Sequence, residues 1–77
     1  MTPEQIDELH QSLVEWEGKI DEVSSDHQVY QRRFFILNMV EITRLTDQYK
    51  EGVPDEKKKE FGLNTDELVR KLLALGK

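Results

Sequence analysis

YQRRFFILNMVEITRLTDQY, residues 30–49, decides the fold: its middle is apolar on every side of a helix, whereas the rest of the chain is strongly polar. On a helical wheel Tyr30, Phe34, Phe35, Leu37, Ile42, Leu45 and Tyr49 fall on one broad arc, the width a helix needs to pack against two neighbours. Val29, Ile36 and Val40 make a second stripe on the far side, flanked by Arg32, Arg33 and Thr43. A helix apolar all round needs cover on both sides, and a chain of 77 residues has no second layer to offer. The pattern therefore predicts that a partner subunit or target protein covers Val29, Ile36 and Val40, with Arg32 and Arg33 as the polar rim of the contact. An arginine of that pair is also placed to reach the acidic face of the preceding helix as a partly exposed ion pair.

Outward from this axis the helix signals are clear. The central helix is expected over about 27–51, with Gly52 as a left-handed cap and Pro54 preventing continuation. Upstream, Ser24-Ser25-Asp26 breaks the pattern and can cap a new helix at His27; a single continuous helix is the alternative. Before the break, a helix over about 3–23 opens on Thr2 as cap, Pro3 at the first position and Gln5 completing a capping box. Its Ile6, Leu9, Leu13, Trp16, Ile20 and Val23 recur at alternating steps of three and four, a narrow seam facing the core, with Val14 the one apolar residue off it. Downstream, residues 55–61 read as a short helical turn closed by Gly62, with Phe61 and Leu63 tucked onto the bundle. Asn64 or Thr65 caps a last helix over about 65–75, whose apolar face is Leu68, Val69, Leu72, Leu73 and Leu75. The expected fold is all-α, a single domain: a long antiparallel helical hairpin plus a short C-terminal helix in a small three-helix bundle, with an extra turn at 55–61. No internal repeat, low-complexity tract or linker interrupts it.

Composition narrows the function. A domain this size buries only about 60% of its unfolded surface, and with no cysteine neither disulfides nor thiolate metal sites add stability. Oligomerisation is the expected supplement. The apolar run from Phe34 to Val40, broken by Asn38, is far below a membrane span, and the N-terminus lacks a basic-then-apolar signal, so a cytoplasmic protein without membrane contact is expected. The net charge of −5 is concentrated: residues 1–23 hold seven carboxylates against Lys19 alone. Such a segment repels phosphate and attracts a basic partner, which marks Glu4, Asp7, Glu8, Glu15 and Glu22 as an acidic, partner-facing surface.

Reactive constellations are missing. His10 and His27 are the only histidines and both are expected at the surface. Asp7 and His10 stand three apart, as a carboxylate and histidine do in di-metal bundles, but no second such motif accompanies them, so neither metal nor cofactor is expected and no catalytic residue is assigned. Residues 55–75 resemble a helix-turn-helix in Gly62, Leu63 and Leu68, which implies DNA contact by the last helix. That helix opens with Asp66 and Glu67, which repel phosphate, and Glu60 stands where the motif usually has a small residue. The function expected is a non-enzymatic protein–protein interaction or regulatory module, homodimeric through the central helix, that binds and modulates a protein partner. Two alternatives stand beside it: an acidic inhibitor that imitates nucleic acid in a basic groove, and a DNA binder acting through residues 55–75.

Overall fold

Thr2 starts the first helix as its sequence dictates. The Thr2 hydroxyl accepts the Gln5 N–H at 3.2 Å while the Gln5 side-chain oxygen accepts the Thr2 N–H at 3.0 Å, satisfying two N–H groups that a helix start leaves without partners. The computed structural model describes residues 1–77 and holds four helices: α1 (Pro3–Val23), α2 (Gln28–Gly52), α3 (Asp55–Phe61) and α4 (Thr65–Leu75). Between α1 and α2 the chain turns. The Ser24 and Ser25 hydroxyls donate back to the Asp21 and Glu22 carbonyls, and the Gln31 amide donates across the turn to the Ser24 and Asp26 carbonyls at 2.9 and 3.0 Å. The cap of α2 is His27 rather than a residue of Ser24–Asp26: its Nδ1 accepts the Val29 N–H at 3.2 Å.

The far end of α2 differs from expectation. Gly52 stays within the right-handed helix, and the one left-handed residue in the chain is Gly62, at φ 68°, closing α3. Pro54 explains this, because it forces the residue before it into extended backbone and Val53 takes φ −93°, ψ 126°. The helix thus ends by proline exclusion and has no use for a left-handed cap. Asn64 then caps α4, its Oδ1 accepting the Glu67 N–H at 3.0 Å.

Helix α2 packs against both α1 and α4, which also touch each other. The α1–α2 hairpin is antiparallel: Met1 lies against Gly52 at one end, and the Trp16 ring meets Phe34 edge-on, 6.0 Å between centroids, towards the other. Helix α4 runs back along α2, from Asp66 beside Lys50 to Gly76 against Phe35. The 38 Å long axis of the molecule is about the length of α2 at 1.5 Å per residue. The core is Ile6, Leu9, Leu13 and Ile20 from α1, Ile42 and Tyr49 from α2 with Val53 beyond it, and Leu68, Leu72 and Leu75 from α4. Burying each such side chain contributes about 1.5–3 kcal/mol. Trp16, Val23, Phe34, Phe35, Leu45, Phe61 and Leu63 pack half-buried around it. Of the apolar face expected on α4, Val69 is half-buried and Leu73 points out.

One part of the expected core is not core. Tyr30 and Leu37 are 61% and 72% exposed. The two neighbours of α2 sit on one side of it, so the covered arc comprises Phe34, Phe35, Asn38, Ile42, Leu45, Thr46 and Tyr49. Tyr30 and Leu37 lie at its edge or beyond and join the second stripe.

Candidate interaction surface

Along the uncovered side of α2 the residues Val29, Arg33, Ile36, Val40, Thr43 and Asp47 follow steps of four and three, so they form one line on the helix. All six are exposed. Val29, Ile36 and Val40 are 61%, 71% and 72% open to solvent, and Tyr30 and Leu37 widen the line on one side. Val29, Arg32, Arg33, Ile36 and Leu37 together line a shallow apolar depression. The fold produces this row simply: the line lies on the side of α2 opposite Ile42 and Tyr49, where neither α1 nor α4 reaches.

The charges around it are arranged unevenly. Arg33 and Asp47 form no ion pair, while Arg44 and Glu41, on the flank, hold each other at 2.7 Å. Arg32 donates through Nε to the Lys77 carbonyl at 3.5 Å, a long contact that ties the C-terminus to the start of α2. Neither Arg32 nor Arg33 forms the ion pair expected with α1, because α1 packs on the opposite arc of α2 and its carboxylates point elsewhere.

Those carboxylates make a second exposed surface. Glu4, Glu8, Glu15 and Glu22 follow one line along α1, with Asp7 beside it, and none is in an ion pair. Asp21 is the α1 carboxylate that finds a cation, Lys71 of α4 at 3.3 Å; its hydrogen bond holds the Lys71 ammonium above the usual lysine range. The structure thus gathers Val29, Arg32, Arg33, Ile36 and Val40 on one helix and Glu4, Asp7, Glu8, Glu15 and Glu22 on another. Tyr30 and Leu37 are surface residues that sequence reasoning placed in the core; their position on the wheel, between the two stripes, was the available signal.

Other candidate sites resolve into local contacts. His10 is half-buried rather than on the surface, its ring stacked on Phe61 at 4.0 Å between centroids, and nowhere do three or more histidine or carboxylate side chains converge on a point. In the segment resembling a helix-turn-helix, Lys57 pairs with Glu60 at 3.5 Å, and Lys58 donates to the Lys50 carbonyl at 2.7 Å. Asp66 is bound to Lys50 at 2.8 Å, and the Lys50 ammonium holds its carboxyl below the usual range. No helix is long and apolar enough to cross a membrane. Comparison of the chain with family models, with curated proteins and with solved structures finds no match.

Proposed function

We propose that this protein is a non-enzymatic interaction module that associates with itself through α2 and binds and modulates a protein partner. The observation that carries the reading is the row of five large apolar side chains, Val29, Tyr30, Ile36, Leu37 and Val40, each 61–72% exposed on one side of one helix. Single exposed apolar residues are ordinary on a protein surface, but a contiguous row with an arginine rim has the composition of a contact. Covering it adds buried apolar area to a domain whose own core is small. Sedimentation velocity tests this directly. The unaltered chain is expected to dimerise reversibly in the micromolar range, and Ile36→Asp with Val40→Asp to leave a helical monomer. A chain that stays monomeric at high micromolar concentration ends the self-association reading.

A second reading rests on α1. The unpaired line of Glu4, Glu8, Glu15 and Glu22 suits a basic groove of the kind that binds nucleic acid, and blocking such a groove would inhibit its owner. Binding of that kind weakens steeply with salt, so a partner captured equally well at low and high salt rules it out.

A further inference from the structure

We infer that the second copy lies antiparallel to the first along α2, with Ile36 packed on Val40 of the partner subunit and Arg33 drawn to Asp47 of the partner subunit. This rests on the self-association proposed above and adds its orientation and register. The order of residues along the exposed line sets the orientation. Reading from the start of α2 it runs Val29, Arg33, Ile36, Val40, Thr43, Asp47: a valine, a cation, two branched apolar residues, a hydroxyl and a carboxylate. Arg33 and Asp47, about 21 Å apart at 1.5 Å per residue, are both exposed and both without an ion pair in the single chain.

A parallel copy would set Arg33 against its own equivalent and Asp47 against its own, placing like charges together at both ends of the contact. An antiparallel copy, related by a twofold axis midway between Ile36 and Val40, sets Arg33 opposite Thr43 of the partner subunit and one helical turn, about 6 Å, from Asp47 of the partner subunit, within reach of the long arginine side chain, and does so twice. The alternating steps of four and three then let Ile36 and Val40 interdigitate at the centre as in a short antiparallel coiled coil. Because α1 and α4 occupy the other side of α2, the two bundles sit back to back with no element in the way.

The alternative of Arg32 and Arg33 docking on the acidic line of another copy's α1 leaves Ile36, Leu37 and Val40 against carboxylates, and repeats without closing. The size of the contact also fits a second copy. Five side chains of this exposure offer on the order of 300–400 Å² of apolar area per copy. Two copies together offer about 600–800 Å², and the stems of Arg33, Thr43, Arg44 and Asp47 carry the contact towards the roughly 1,000 Å² expected of a specific interface.

Charge reversal tests the register without touching the core, since both residues are exposed and neither forms an ion pair, Asp47 acting on Lys50 only through space. Arg33→Asp and Asp47→Arg are each expected to weaken the dimer about tenfold, and the double variant to recover most of that loss, because it restores unlike pairs in the antiparallel arrangement alone. Failure of the double variant to recover overturns the register. The chain has no cysteine, so single cysteines report orientation cleanly. Under mild oxidation a mixture of Ile36→Cys and Val40→Cys chains is expected to form a mixed disulfide dimer, and Val29→Cys alone to form none. Efficient Val29→Cys self-crosslinking means a parallel pair and overturns the inference while leaving self-association standing. A monomer at every concentration instead removes the proposal beneath it. Circular dichroism of each variant separates loss of pairing from loss of fold.

Discussion

The His10 imidazole of α1 lies flat on the Phe61 ring of α3, centroids 4.0 Å apart and planes 10° from parallel. This contact matters because α3 has no buried residue of its own, and its helix is only seven residues long. Isolated helices of that length do not hold in water, so α3 depends on what it leans against. His10→Ala is expected to cost about 1 kcal/mol overall and to speed amide exchange in α3 far more than in α2. His10→Phe keeps the stack and removes a buried Nδ1 that has no hydrogen-bond partner, so it should match or exceed the parent in stability. Unchanged α3 exchange in His10→Ala would show that the stack is not the tie.

Tyr49 presents a related case inside the core. Its side chain is 1% exposed and its hydroxyl meets no partner. A buried unpaired hydroxyl loses its water without replacement, so Tyr49→Phe should leave stability unchanged or raise it by about 1 kcal/mol. Tyr49→Ala, which opens a cavity, should cost about 3–5 kcal/mol. Burial also pushes the phenol above its ordinary value of 10.0. The folded chain therefore keeps this proton where the unfolded chain gives it up, and the Tyr49 contribution is complete below pH 10 and falls as pH rises through and beyond it. Chemical denaturation across that range should show a shallower loss in Tyr49→Phe than in the parent.

The His10–Phe61 stack marks the boundary of what the sequence discloses, whereas the burial of Tyr49 was expected from its place on the wheel. The Thr2–Gln5 box and the Pro54 stop were legible because they are local, and Asn64 with Glu67 resolves the choice between Asn64 and Thr65; the expectation of a left-handed cap at Gly52 was wrong, since Pro54 already ends the helix. The seam of α1 was legible because steps of three and four define a face. On α2 the same arithmetic gives angles between side chains but not the directions from which neighbours arrive, so Tyr30 and Leu37 were assigned to the core although both neighbours lie on the other side. The His10–Phe61 stack joins residues 51 positions apart and has no periodic signature. For the candidate interaction surface, Val29, Ile36 and Val40 with the flanking Thr43 could be read from an excess of apolar positions, whereas Asp47 enters only once that side of α2 is known to be open.

Lys50 and Asp66 join the end of α2 to the start of α4 at 2.8 Å. Their hydrogen bond and mutual attraction raise the lysine and lower the carboxyl from its ordinary 3.8. The stabilisation owed to Asp66 is thus present above that value and fades as pH falls through and below it. Both groups are largely exposed, so added salt should diminish the effect. Asp66→Asn is expected to make acid unfolding less steep at low salt and to change little at high salt. An identical acid limb in both chains at low salt would remove the pair from the account.

Three glycines predict three different outcomes on substitution by alanine. Gly18 is exposed in mid-helix with no atom within 4 Å of an added Cβ, so Gly18→Ala should stabilise by about 1 kcal/mol through backbone entropy alone. Gly62 holds φ 68°, where a side chain strains the backbone, and Gly62→Ala should cost about 1 kcal/mol without any clash. At Gly76 an added Cβ would come within 2.8 Å of the Phe35 ring, which packs half-buried against the core. Gly76→Ala should therefore cost about 1–3 kcal/mol by overpacking. Each kcal/mol moves the midpoint of a domain this size by about 4–8 °C. Thermal unfolding at one fixed protein concentration, which keeps any dimer contribution constant, should order the set with Gly18→Ala above the parent and Gly76→Ala lowest. A Gly76→Ala midpoint equal to the parent's would mean that the C-terminal turn is free to move off Phe35, and that the Arg32 contact to the Lys77 carbonyl does not hold it there.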